Sequence, residues 1–291
     1  MPQASRNQPP LQGLQWPQMA KIALIAAMER EVRPLIRSWK VSANIRTMEQ
    51  GGRRYRLFEN GEVALVCGGI GAEAARRATE AVIREVNPAQ VISVGFAGAL
   101  VASMQVGNIV EPRTVINTSD GSRTEVGSGE GILVSCATVA GKEQKIRLNK
   151  AYGAIAVDME AAAVAQGAEA RGVEFRALKV ISDTTDFSLP PMEHSLDRFV
   201  ADDGTFHSAR FACHVALRPW LWGTTIALAR NSSKASQALC GALASYLGRE
   251  AQTLPGESLV SNMNQKEGGP VFAGAHTRTD TRSHNRPEGK Q

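Results

Sequence analysis

Short, almost wholly apolar runs recur along this chain, and glycines or acids follow them. The clearest is Lys21-Ile22-Ala23-Leu24-Ile25-Ala26-Ala27; Gln90 to Val94 reads as another buried strand and Phe175 to Ile181 as the last clear one. A strand without a polar face must be covered on both sides, which predicts helices packed above and below a largely parallel sheet. Helical spacing supplies those layers. Glu29 to Ser38 carries Val32, Leu35 and Ile36 on one face, with Pro34 too early to break it badly. Ala72 to Glu85 and Glu160 to Arg171 follow as helices, the second nearly all alanine on its inner faces and stopped by Gly172.

The remaining segments fit between these. Arg54 to Glu59 and Val63 to Cys67 read as strands joined at Asn60-Gly61, a hairpin signal because the tight turn needs positive φ. Strands are also expected at Gly107 to Pro112, Arg113 to Asn117 and Gly131 to Cys136, with a surface loop from Thr118 to Gly131. Gly141 to Lys150 reads as a short amphipathic helix with Ile146 and Leu148 on its apolar face, and Ala154 to Met159 as a strand. After Pro190-Pro191 helices are expected over Phe199 to Ala216, Trp220 to Arg230 and Lys234 to Leu247. Residues 1–18, rich in Gln and Pro, read as a disordered leader; 19–251 as a single domain with a helical C-terminal part; and 252–291 as a disordered tail. The architecture expected is a three-layer α/β/α sandwich around a central mixed sheet.

Chemistry concentrates at the ends of the apolar runs, where ligands of α/β proteins bind. Five stretches stand there: Met28-Glu29-Arg30-Glu31, Gly68-Gly69-Ile70-Gly71, Gly95-Phe96-Ala97-Gly98, Asp158-Met159-Glu160 and Ser182-Asp183. Each has a bland reading. Asp158 or Glu160 can complement a helix dipole, Ser182-Asp183 can be a turn or cap, and the glycine loops can be tight turns that hold no ligand. The glycines equally let backbone amides approach a ligand.

Composition removes several other functions. A formal charge of +5 is mild, and basic residues do not gather with aromatics into a nucleic-acid face. Cys67, Cys136, Cys213 and Cys240 show no zinc or disulfide spacing, and His194, His207 and His214 no metal spacing, so no metal or cofactor is expected. The run Leu217 to Ala229 is interrupted and too short to span a bilayer. A reducing cytoplasm is the expected compartment.

Taken in order, these motifs resemble the nucleoside phosphorylase/nucleosidase superfamily, and within it most the 5′-methylthioadenosine/S-adenosylhomocysteine nucleosidases. The matching stretches are Ile25 to Val32, Gly69-Ile70-Gly71, Gly95 to Gly98, Val106 to Val110, Ala156 to Ala161 and Ile181-Ser182-Asp183, spread over residues 20–186. The resemblance implies cleavage of the N-glycosidic bond of an adenine nucleoside. Asp183, with Ser182 beside it, would be the general acid that protonates the leaving base; Glu31 would activate the attacking water; Glu160 would bind the ribose hydroxyls while Met159 packs on the sugar. Met28, Ile70 and Phe96 would line the nucleoside pocket. A carboxyl group serves as an acid near neutral pH where burial disfavours its charged form, and a buried strand end is such a place for Asp183. The implied partners are a small nucleoside and a second copy of the chain in a homodimer.

Three departures bear on substrate and nucleophile. Phe96 replaces a small hydroxyl residue, the stretch Arg113 to Gly131 is short, and Ser135 to Val139 lacks the aromatic that stacks on adenine, leaving Phe96 or Phe187 to substitute or the base to differ. Ser93 and Phe96 stand where phosphorylases of this superfamily place the Arg and Ser that hold phosphate, which favours water. Arg30, Arg33 or Arg113 can still supply phosphate binding, and shortened sequences of this kind include hopanoid-associated phosphorylases. A nucleoside-binding module without catalysis is the third reading, opposed by the presence of Glu31, Glu160 and Asp183 together.

Overall fold

The computed structural model describes residues 22–39, 44–186 and 222–253. The leader, most of the tail, the helix expected at Phe199 to Ala216, the three histidines and Phe187 lie outside them. The first apolar run forms β1 (Ile22–Ala26), every residue of it buried. Next come α1 (Glu29–Ser38), β2 (Asn44–Gln50), β3 (Arg53–Asn60), β4 (Val63–Cys67), α2 (Ala72–Val86) and β5 (Gln90–Ala99). The short strands β6 (Ile109–Val110), β7 (Thr114–Asn117), β8 (Arg123–Glu125) and β9 (Ile132–Ser135) lead to α3 (Lys142–Tyr152), β10 (Ala156–Asp158), α4 (Ala161–Glu169) and β11 (Glu174–Asp183). A single long helix, α5 (Trp222–Thr253), follows.

All eleven strands join one mixed sheet, ordered β2-β3-β4-β1-β5-β10-β9-β7-β8, with β11 branching from β5 and β6 pairing with β11. The branch is the organising feature. β5 pairs in parallel with β11 along its whole length, but on its other side it pairs with β1 only from Gln90 to Ser93 and then, at Gly98 and Ala99, with the antiparallel β10. Between those two neighbours the sheet forks. One face is covered by α2 and α4, whose small residues Ala75, Ala78 and Ala161 to Ala165 are buried in the same cluster as Ile25 and Val91. The other is covered by α1 and α5, where Val32 and Leu35 meet Leu239 and Leu243 over Leu24 and Ile92. α3 closes this second face further along, with Leu148 on Val134 and Val157.

Four expectations need correction. β2 was not anticipated, because Asn, Arg, Thr, Glu and Gln dominate it and only Met48 is buried, as suits an edge strand. β8 interrupts the loop expected from Thr118 to Gly131 by pairing with β7. The two helices expected around residues 220–247 are one, since Ala235, Leu239 and Leu243 keep a buried stripe and the intervening Asn231-Ser232-Ser233 does not stop the helix. In α3 the inward residue beside Leu148 is not Ile146, which is 60% exposed, but Lys145, which is 2% exposed.

Candidate active site

At the fork, where the carboxyl ends of β1, β5 and β11 meet the β10–α4 junction, lies a cavity of about 200 Å³. It gathers all eight residues singled out from the sequence. Met28 and Glu31 enter from the start of α1, Ile70 from the loop before α2, and Phe96 from β5. Met159 and Glu160 enter from the start of α4, Ser182 and Asp183 from the end of β11. Lys145 from α3, Leu228 and Ser232 from α5, and Thr138 to Ala140 before α3 add to the walls.

Glu31 sits beneath the fork, 3% exposed. Its Oε2 accepts the amides of Ala27 at 3.2 Å and Met28 at 3.1 Å, so the carboxylate also caps α1. Burial pushes its carboxyl above the ordinary glutamate range, opposed by the Met28 amide and by the charges of Lys179 and Arg30. Gly95 makes room for it: at φ +147 a β-carbon there would lie 3.1 Å from Glu31 Oε2. Gly98 does the same for the opposite acid, since its β-carbon would lie 2.9 Å from Asp183 Oδ2 and 3.3 Å from Lys145 Cε. The two glycines of this loop therefore accommodate acids of the protein, one on each side of Phe96.

Glu160 stands just before α4, and its Oε1 accepts the Gly71 amide at 2.8 Å. The glycine loop before α2 thus holds the carboxylate that the resemblance assigns to the ribose. Burial first, then the negative charge of Asp158, pushes the Glu160 carboxyl from the usual 4.5 up to about 7. Asp158 has a separate task. It is buried against Lys179 at 2.9 Å, accepts the Ser135 hydroxyl at 2.5 Å, and accepts the Ala161 amide at 2.8 Å at the first turn of α4. Burial works against the charge on Lys179, but Asp158 and then Glu160 hold its ammonium above the ordinary lysine range.

The raised Glu160 value has a measurable result. Below about 7 the group is increasingly protonated in the free protein, whereas a carboxylate is the better acceptor for two hydroxyls. On the ribose-binding role that the resemblance implies for Glu160, nucleoside binding is expected to weaken as pH falls through 7, and the limb should vanish in Glu160→Gln; a pH series of dissociation constants checks this. The stability effect has the opposite sense. Because the folded-state value lies above the unfolded one, the folded protein binds the proton more tightly, and stability is lost as pH rises from the ordinary glutamate range through 7.

Asp183 departs from the expectation of an apolar surround. Its side chain is 22% exposed and its Oδ2 pairs with the ammonium of Lys145, which is itself buried and also donates to the Thr184 carbonyl at 2.7 Å. Ser182 Oγ donates to Asp183 Oδ1 at 2.8 Å. A register shift in β11 between Ile181 and Asp183 turns both side chains toward the cavity and α3. Lys145 was missed in the sequence, although it lies three residues before Leu148 on the same helix face. Among the described residues no group of His, Cys, Asp and Glu is arranged to hold a metal ion.

Three carboxyl groups from separate elements therefore face one cavity, and such groups can exchange protons with a ligand or accept its hydroxyls. Comparison with known proteins agrees with the fold. The model of the phosphorylase superfamily matches residues 21–134 and 126–216. The 5′-methylthioadenosine/S-adenosylhomocysteine nucleosidase of Glaesserella parasuis serovar 5 is 30% identical over 205 residues, 57% of this chain and 86% of that protein. Among solved structures, the futalosine hydrolase of Helicobacter pylori superposes with a TM-score of 0.58 at 18% identity, covering 79% of this chain and 98% of that one. The 5′-methylthioadenosine nucleosidase of Arabidopsis thaliana gives 0.59 at 17% identity, covering 79% and 95%. With its mixed forked sheet flanked by helices and a family match over most of its length, the chain belongs to the phosphorylase superfamily.

Proposed function

We propose that this protein hydrolyses the N-glycosidic bond of a purine nucleoside, with adenine thioether nucleosides such as methylthioadenosine and S-adenosylhomocysteine as the first candidates. The observation that carries the reading is the convergence of Glu31, Glu160 and Asp183, from three separate elements, on one cavity. Asp183 relays a proton from the ammonium of Lys145 to N7 of the base as the C1′–N9 bond lengthens, and the bond's electron pair leaves with the base. Lys145, left as the neutral amine, takes a proton back from solvent once the products leave. Glu160 holds the ribose 2′ and 3′ hydroxyls, and Met159 packs on the sugar. Glu31 accepts a proton from the water that adds to C1′, the division of labour expected for an oxocarbenium-like transition state. Phe96, between the two glycines, offers its ring to the ligand. A homodimer would let a second copy cover the cavity mouth.

One feature favours phosphate as the nucleophile: Arg30 also lines the cavity. The carboxylate of Glu31 beside it opposes that reading, because a bound phosphate would meet like charge. Incubation with methylthioadenosine, S-adenosylhomocysteine, adenosine and inosine, with and without phosphate, tests both. Free base and free sugar at a phosphate-independent rate are expected; a sugar 1-phosphate that keeps the substrate's 5′ group would establish phosphorolysis instead.

A further inference from the structure

A second cavity, of about 400 Å³, adjoins the first between α1 and α5, and the two share Arg30, Leu228 and Ser232 as lining. Its chemistry differs from that of the reactive cavity. Arg30, Arg33 and Arg37 fall at i, i+3 and i+7 and so occupy one face of α1, opposite Ser232 and Ser233 of α5. The lining contains no acidic side chain among the described residues. Arg33 and Arg37 make no ion pair among those residues, whereas Arg46, Arg56, Arg76 and Arg77 all do. The walls are fixed to one another: Ser236 Oγ donates to the Glu31 carbonyl at 2.9 Å, and Leu35 packs in one buried cluster with Leu239 and Leu243.

Resting on the nucleosidase reading above, we infer that this second cavity binds an anionic group, a carboxylate or phosphate, at the far end of the nucleoside's 5′ substituent. Arg33 and Arg37 do not line the cavity that holds Glu31, Glu160 and Asp183, so they cannot place a nucleophile at C1′. The base end of the first cavity is marked by Asp183 and Lys145, which the second cavity does not touch. A substrate held at those two points and at Glu160 has only its 5′ arm left to reach the shared boundary at Ser232 and Leu228. Guanidinium forks match carboxylate and phosphate in two-point geometry, and charge-assisted contacts of this kind are roughly twice as strong as neutral ones.

The test compares a matched pair of 5′-deoxyadenosine derivatives, one with a 5′-carboxyethylthio arm and one with a neutral 5′-propylthio arm. The wild-type protein is expected to favour the anionic compound by about 10–100-fold in dissociation constant, from the strength of hydrogen bonds to charged groups. In R33Q/R37Q that ratio should fall to about one, and R33K/R37K should recover part of it, as charge without the fork geometry predicts. A wild-type ratio near one, or a ratio unchanged in R33Q/R37Q, overturns the inference. Binding and cleavage are measured together, so a retained binding ratio without base release leaves the anion site standing and sinks the hydrolase reading instead. Inorganic phosphate is added in a parallel arm. If it competes with neither compound and alters only a phosphate-dependent rate that R33Q/R37Q abolishes, with the ratio intact, the cluster serves a free co-substrate and the inference falls.

Discussion

Asp183→Asn is expected to lower kcat by ~10²–10⁴-fold, the usual worth of a positioned proton donor, while nucleoside binding changes little. Asparagine preserves the shape of the side chain and the place for the Ser182 hydroxyl, but it has no proton to give to N7. It also leaves Lys145, 2% exposed, without its carboxylate, so the variant's thermal midpoint must be measured beside its rate. Lys145→Gln separates the two effects. If the ammonium supplies the proton that Asp183 hands on, this variant loses rate with Asp183 intact, and the alkaline limb of its pH–rate profile, which the proton donor sets, moves. A lysine that only props the loop would change the melting temperature and leave the profile in place. Retention of full activity in Asp183→Asn would remove the general acid from the mechanism altogether.

Lys179→Met should be the most destabilising of the single changes around the site, by ~3–5 kcal/mol, because removing one partner of a buried pair strands the other charge. The Lys179 and Asp158 side chains are 1% and 0% exposed. Chemical denaturation of Lys179→Met reads the loss, and adding Asp158→Asn should recover part of it. Recovery will be incomplete, since Asp158 also receives the Ala161 amide and the Ser135 hydroxyl, which in turn accepts the Ala162 amide at 3.0 Å. The same substitution reaches the chemistry. Lys179 lowers the proton affinity of both Glu31 and Glu160, so its loss should shift the binding limb attributed to Glu160 to higher pH. A variant as stable as the wild type would show that the pair is dispensable.

Much of the sheet was legible because a fully buried strand leaves an apolar run in the sequence, as β1 does. The edges were not. β2 and β8 are polar and exposed, and they are strands because a neighbour offers hydrogen bonds, which no local pattern announces. The eight candidate residues came from the strand ends and from the family resemblance, and they line one cavity, yet the reason for the glycines was not legible. Gly95 and Gly98 make room for Glu31 and Asp183, side chains distant in sequence. Lys145 was hidden for a related reason: a charged residue on an apolar helix face is ordinarily a solvent-facing one, and only the arrival of Asp183 makes its burial tolerable. The α5 contribution, Leu228 and Ser232, follows from a helix whose path over α1 is tertiary information.

The fork in β5 gives the protein a way to diversify. The three acids are tied to the branching of the sheet: Glu31 lies under Gly95, Asp183 beside Gly98, and Glu160 behind the strand that pairs with Gly98. The outer boundary is made by α5 and the exposed side of α1, which the sheet's pairing does not constrain. Substitutions there can retune which molecules are admitted while the bond-breaking apparatus is inherited intact, so a lineage built on this plan can change its diet without relearning its chemistry.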